Sequence, residues 1–262
     1  HARTLDEASA LQNGTPFGLT GGLHSLDETE IEQWLATVEV GNAYVNRHIT
    51  GAIVQRQPFG GWKASSVGPG IKAGGPFYVG SLGRWTGRTT SAERLDAIER
   101  SWSRWRVGVD PSALESEANV LRLRPMRRGV LLRVGAGVPA DHLAEAAAVA
   151  RLVGTPLLVS AAPDVALRPV GDHLHTATPG VDVVREGDRD FVARAPRRDV
   201  DRVRLVGRHG PEVLAGLAAA RVDTHRVPLA GDPDQELLAW TREQAVSRPL
   251  HRHGNQIGRA HV

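Results

Sequence analysis

Apolar positions recur at helical spacing in the first part of the chain and alternate between strand and helix patterns in the second. Thr4 to Asn13 (TLDEASALQN) predicts a short helix, with Thr4 at the N-cap and Glu7 three residues later, a capping-box spacing. Gly14-Thr15-Pro16 breaks it. Asp27 or Ser25 caps a second helix from about Glu28 to Val38, where Ile31, Trp34, Leu35 and Val38 share one face. Gly41 breaks into a short strand, Ala43-Tyr44-Val45-Asn46, followed by a turn at Thr50-Gly51-Ala52. The chain then becomes glycine-rich as far as Pro76, which implies tight turns or close backbone approach.

A helix is expected over Ala92 to Trp105, with Leu95, Ile98, Trp102 and Trp105 on one face, a stripe that reads as packing. Residues 109–122 form an irregular bridge. From about Gly129 the pattern changes. Strands are expected at Val130–Val134, Pro156–Ser160 and Val203–Gly207, with a short one at Arg226–Leu229 and weaker ones at Val181–Val184 and Phe191–Ala193. Helices are expected at Ala140–Val153, between Pro139 and Gly154, at Pro211–Ala220 and finally at Gln235–Val246. This alternation argues for a parallel α/β sheet.

Composition narrows the function classes. The 262 residues hold an ordinary apolar fraction and carry a formal net charge of +3. Lysine occurs only at Lys63 and Lys72; the remaining basic residues are arginines interleaved with acids. A nucleic-acid surface needs clustering, so none is expected. There is no cysteine, which excludes disulfides and thiolate metal sites. No apolar run approaches the roughly 20 residues of a membrane helix and no signal peptide is visible, so a cytoplasmic location is expected. The chain begins with His1, reads straight into a helix, and ends in Gln256–Val262, which resembles translated sequencing-adapter DNA. An open reading frame truncated at both ends is the expectation.

The string Val45-Asn46-Arg47 … Thr50-Gly51-Ala52-Ile53-Val54 … Gln57-Pro58-Phe59-Gly60-Gly61 … Lys72-Ala73-Gly74-Gly75-Pro76 carries the chemistry. It resembles the C-terminal part of the catalytic domain of L-glutamate γ-semialdehyde (Δ1-pyrroline-5-carboxylate) dehydrogenases, in the aldehyde dehydrogenase superfamily. Phe17–Ser25 is similar to a superfamily loop, and Phe77 to about Trp85 to the family's exit strand. The resemblance implies a bacterial enzyme of proline catabolism that oxidises the semialdehyde to L-glutamate with NAD. It also implies that the backbone amides of Gly51 and Ala52 bind the substrate carboxylate, and that Phe59 walls the substrate's aliphatic stem. Fixed backbone N–H donors in a glycine turn suit a carboxylate, because they bring no competing side chain. The family's Cys nucleophile, general-base Glu and NAD-binding half are not found here, so no catalytic residue is assigned. They are expected upstream of residue 1, and the chain alone is expected to be inactive.

The second half resembles the C-terminal domain of long forms of these enzymes and of bifunctional proline-utilisation proteins, most specifically at Glu236–Leu238, Arg242–Ser247 and His251–Asn255. In that family it is a degenerate Rossmann-like domain concerned with assembly or with covering the active site. Gly135-Ala136-Gly137 follows the first strand, but it lacks the third glycine of a dinucleotide fingerprint, and an ordinary strand–helix turn is the favoured reading. The expected organisation is therefore α/β throughout. Residues 1–86 form the C-terminal part of an aldehyde dehydrogenase catalytic domain, 87–128 a helical or irregular linker, 129–255 the Rossmann-like domain and 256–262 a non-native tail.

The implied partners are glutamate γ-semialdehyde, a fused or associated proline dehydrogenase, and further copies in a homo-oligomer. A non-catalytic assembly module with a vestigial loop is the alternative, and a small Rossmann-type binding protein a third reading. His24 and His48 read as surface or hydrogen-bonded residues, Asn46 and Arg47 as braces of the turn. His251 and His253, two apart, lack a third metal ligand.

Overall fold

The computed structural model describes residues 1–54, 56–66, 70–83, 92–165, 183–197, 199–226 and 232–251. They divide into two units that are not consecutive in sequence. One gathers 1–79, 104–123 and the chain from 242 on; the other gathers 80–103 and 124–241.

In the first unit, α1 (Leu5–Asn13) and α2 (Glu28–Thr37) start where their caps predict. The Thr4 side chain accepts from Glu7 N, and the Asp27 side chain from Thr29 N. Between and after them lie β1 (Phe17–Gly18), β2 (Thr20–Leu23), β3 (Asn42–Val45) and β4 (Trp62–Lys63). β1 pairs antiparallel with β4, and β2 runs parallel to β3. Ile31, Trp34 and Val38 pack with Val40, Ala43 and Val45 in one core, so the α2 stripe buries itself against β3. Gly41, at the head of β3, is needed for close approach. A Cβ there would lie 2.0 Å from the carbonyl oxygen of Gly60.

Beyond Pro76 the expected exit strand is instead a helical turn, α3 (Tyr78–Ser81). Tyr78 N donates to Gly75 O at 3.2 Å and Gly75 N to Lys72 O at 3.1 Å, so the backbone is used locally and not in a ladder. Residues 84 and 85 of that expectation lie outside the described residues. α4 (Ala92–Val107) forms as expected, with Ile98, Trp102 and Trp105 buried. The expected irregular bridge over 109–122 contains a strand, β5 (Glu117–Pro125), whose burial alternates along Asn119, Leu121 and Leu123.

The second unit holds a parallel sheet built from β6 (Val130–Val134), β7 (Leu157–Ala161), β8 (Val183–Arg185), β9 (Arg202–Val206) and β10 (Thr224–His225), in the order β10-β9-β6-β7-β8. This doubly wound order reverses between β6 and β9. Its described residues include the helices α5 (Ala140–Val153), α6 (Asp188–Arg194), α7 (Pro211–Ala219) and α8 (Pro233–Leu238), besides residues 92–103 of α4. Phe191, expected in a weak strand, sits in α6. Gly187 caps that helix, Asp188 and Asp190 occupy its first turn, and Arg194 its last, all favourable to the helix dipole. The Phe191 ring joins Leu131, Val203, Val213 and Leu217 in the core. Expected strand residues 181, 182 and 227–229 lie outside the described residues, as do His253 and the tail 256–262.

The main correction is at the C-terminal end. The expected helix Gln235–Val246 is the short α8 followed by a strand, β11 (Thr241–Pro249). The start signal is sound, since Asp232 Oδ1 accepts from Gln235 N at 2.9 Å and Pro233 opens the helix. Past Ala239 the backbone pairs instead with the first unit's sheet, whose order is β2-β3-β11-β5. β11 runs parallel to β3, with Ala245 opposite Asn42 and Ser247 opposite Tyr44. It is buried on both faces, so it lacks the alternation that marks a half-buried strand, and tertiary pairing overrides its helical propensity.

Candidate functional site

The Thr50-Gly51-Ala52 turn follows β3 in the first unit, and Gly51 and Ala52 are exposed. Gly51 has φ +75°, the left-handed region, and no atom lies within 4 Å of where its Cβ would be. The Gly51 carbonyl accepts from the Tyr44 hydroxyl at 2.7 Å, and Ile53 N donates to Gln57 Oε1 at 2.8 Å. Among the described residues, the amides of Gly51 and Ala52 make no hydrogen bond to the protein. Two adjacent N–H donors are therefore free on an exposed turn whose neighbouring groups are tied down. Such a turn can receive an anionic carboxylate.

Phe59 is half-buried, and its backbone pairs with Ala73 through two hydrogen bonds of 2.9 Å. That bridge sets the Phe59 stretch alongside the Lys72–Gly75 turn. Beneath it lies an ionisable pair. Lys72, 1% exposed, donates from Nζ to Asn42 Oδ1 (2.9 Å) and Gly60 O (2.6 Å), and from its backbone N to Glu243 Oε2 (2.9 Å). Burial pulls Lys72 down to about 7 against the opposing pull of Glu243, and burial pushes Glu243 up to about 7. Trp62 Nε1 donates to Glu243 O at 2.8 Å, so β11 and the glycine-rich stretch are stitched together at this point. Glu243 lies within the expected final helix, which is why sequence reasoning missed the pair.

Asn46 has φ +53° and clasps the backbone of Ser25, accepting from Ser25 N at 2.9 Å and donating to Ser25 O at 2.7 Å. Arg47 pairs with Glu117 and donates to Ser247 Oγ at 2.6 Å. Both residues brace the chain beside the turn. His24 and His48 are exposed. Among the described residues no group of three or more His, Asp or Glu could hold a metal ion, and no helix is long and apolar enough to cross a membrane.

The second unit offers the place where a dinucleotide would sit, the crevice between the C-terminal ends of β6 and β9. This chain fills it with its own backbone. Ala136 N donates to Arg208 O at 3.2 Å and Arg208 N to Ala136 O at 3.0 Å, while Gly135 N donates to Val206 O at 2.8 Å. A Cβ on Gly135 would lie 2.1 Å from Arg208 O. The amides of Gly135 and Ala136 are thus occupied by the chain's own carbonyls, and the Arg208 backbone stands against the turn where a pyrophosphate would approach, an arrangement that does not fit NAD. The sheet centre is stabilised by buried arginines instead. Arg204 and Glu236 are both 0% exposed and form a bidentate pair at 2.6 and 2.9 Å, with Trp240 Nε1 donating to Glu236 at 3.0 Å. Arg133 donates to Ser160 Oγ (2.9 Å), Glu186 O (3.0 Å) and Asp188 Oδ1 (2.6 Å).

Residues 1–81 match the aldehyde dehydrogenase family. Over 71 residues, 27% of the chain and 6% of the relative, the sequence is 54% identical to the bifunctional protein PutA of Rhizobium meliloti. Over 78 residues, 30% of the chain and 15% of the relative, it is 47% identical to the 1-pyrroline-5-carboxylate dehydrogenase of Bacillus cytotoxicus. The structure of proline utilization A from Corynebacterium freiburgense aligns with 96% of this chain and 25% of that one, with a TM-score of 0.65 and 33% identity. The chain thus corresponds to a small part of the length of each of these proteins. Its α/β fold is similar to that of the aligned quarter of proline utilization A, and its first 81 residues match the aldehyde dehydrogenase family model.

Proposed function

We propose that this chain supplies the substrate-anchoring part of an enzyme that oxidises L-glutamate γ-semialdehyde to L-glutamate in proline catabolism. The supporting observation is the pair of unengaged amides at Gly51 and Ala52, exposed on a turn held from behind. In this reading the two N–H groups hold the α-carboxylate of the substrate. The methyl of Ala52 leaves room for the amino-acid head, and Phe59 flanks the aliphatic stem. Orientation is what such an anchor contributes, since it places the aldehyde carbon at a fixed distance from the carboxylate.

The sequence contains no cysteine, so the nucleophile of the reaction lies on residues outside this chain. With the β6–β9 crevice closed, so does the binding of NAD. A proline dehydrogenase, fused or associated, would supply the semialdehyde, and the whole enzyme is expected to form a homo-oligomer.

Calorimetric titration of the chain with L-glutamate, which keeps the carboxylate head, tests the proposal. Two charge-assisted amide bonds supply little affinity, so the titration must reach high concentration. Glutamate γ-methyl ester should bind like glutamate, and glutamate α-methyl ester should not. Equal binding of the α-ester refutes the anchor. Oligomerisation without any glutamate binding supports the non-catalytic assembly module instead. The chain mixed with NAD and the semialdehyde should form no NADH.

A further inference from the structure

The direction in which the Gly51–Ala52 turn presents its amides is set by side chains that the anchor itself does not include. A peptide unit is planar and trans, so the Ala52 N–H points opposite to the Gly51 carbonyl. That carbonyl is held by the Tyr44 hydroxyl at 2.7 Å. Tyr44 is 1% exposed and lies in β3, all four of whose residues are buried, so its hydroxyl sits on a rigid support. With the carbonyl turned in toward Tyr44, the Ala52 N–H is turned away from it.

The other end of the turn is held by Gln57, which is 4% exposed. Its Nε2 faces three acceptors: Glu117 Oε1 at 2.8 Å, Asn119 Oδ1 at 2.6 Å and Ser247 Oγ at 3.1 Å. A carboxylate accepts only, so the NH2 group must face Glu117, and the carbonyl oxygen of Gln57 is left for Ile53 N. Glu117 is fixed in turn by its ion pair with Arg47, and Ser247 by its register beside Tyr44. Of three successive backbone donors, Ile53 N is occupied by Gln57, and the Gly51 and Ala52 amides remain for a ligand. Two donors match the two oxygens of one carboxylate.

We infer that Tyr44 and Gln57 are positioning residues, which orient the Gly51–Ala52 peptide for a carboxylate ligand. The inference rests on the anchor reading of Gly51 and Ala52. Its test uses the isotope-labelled chain with Tyr44→Phe and Gln57→Met variants. Tyr44→Phe removes one hydroxyl and keeps the ring, so it can be read even where Gln57→Met does not fold.

In Tyr44→Phe the carbonyl-carbon resonance of Gly51 should move, and L-glutamate should bind about fivefold more weakly, as expected for one lost hydrogen bond. In Gln57→Met the Ile53 amide should exchange with solvent at least about tenfold faster. A Gly51 carbonyl resonance unmoved in Tyr44→Phe, or glutamate bound as tightly as by the unmodified chain, overturns the inference. If the unmodified chain binds no glutamate at Gly51 and Ala52, the anchor reading fails. The carbonyl shift and the Ile53 exchange then still decide whether Tyr44 and Gln57 fix the turn.

Discussion

Replacing Gly51 by alanine separates backbone conformation from steric clash. No atom lies within 4 Å of the added Cβ, so nothing is struck. The cost comes from φ +75°, where an L-residue is disfavoured by about 1–2 kcal/mol. The chain can bear that strain, or it can rotate out of the left-handed region and lose the Tyr44–Gly51 hydrogen bond, worth about 1 kcal/mol. Rotation is the cheaper route, and it turns the Ala52 amide away from the position proposed for the carboxylate. The expected result is a stability loss of about 1 kcal/mol, with glutamate affinity reduced about fivefold or more. Gly154 is the control. It has φ +76° and equally open space at the C-cap of α5 in the other unit. Gly154→Ala should lose similar stability and leave glutamate binding unchanged. Urea unfolding followed by circular dichroism gives the first quantity and calorimetry the second. Full glutamate affinity in Gly51→Ala, or equal weakening in both variants, refutes the reasoning.

Arg204→Met should destabilise the chain by about 3–5 kcal/mol in urea unfolding, because the buried Glu236 carboxylate loses its bidentate partner and keeps only Trp240 Nε1 and the Arg94 guanidinium 3.6 Å away, whereas Arg204→Met with Glu236→Leu should recover part of that loss. Burial pushes Glu236 up, but the charge and hydrogen bonds of Arg204, with Trp240 and Arg94, hold it below the usual carboxylate value. Its folded pKa is thus depressed, so its stabilisation is complete above the unfolded value of about 4.3 and should be lost as pH falls through the lower folded value. A stability unchanged between pH 5 and pH 3 in this unit would contradict the pairing. Gly41→Ala forces the head of β3 away from Gly60 and should cost at least about 1–3 kcal/mol, so an unshifted urea midpoint would show that the approach is looser than 2.0 Å implies. NADH fluorescence should show no tight binding to the chain, since the Ala136–Arg208 bridge occupies the crevice; saturable binding there would mean that the bridge opens.

Much of the local structure was legible in the sequence. Thr4 and Asp27 start their helices where capping chemistry places them, and the Ile31–Trp34–Val38 stripe faces β3 as its spacing implies. Phe191 was misread because a short apolar run looks alike in strand and helix, and the deciding signals were the flanking Asp188, Asp190 and Arg194. β11 was hidden because its partners, β3 and β5, are remote in sequence, and burial on both faces erased its alternation. The same remoteness hid the support of the turn. Gly51, Ala52 and Phe59 stand out as a contiguous motif, but Gln57 gains meaning only when Glu117, Asn119 and Ser247 converge on it. The Gly135-Ala136-Gly137 turn looked weak as a dinucleotide site for want of a third glycine. The structure adds the physical obstacle, the backbone of Arg208.

The central claim concerns two amide protons, and nitrogen–proton correlation spectra of the labelled chain titrated with L-glutamate observe them directly. The resonances of Gly51 and Ala52 should shift most, both fitting one dissociation constant, with the glutamate α-methyl ester producing neither shift. Glutamate-dependent shifts elsewhere in the chain, with Gly51 and Ala52 unmoved, would contradict the assignment of this turn as the carboxylate anchor.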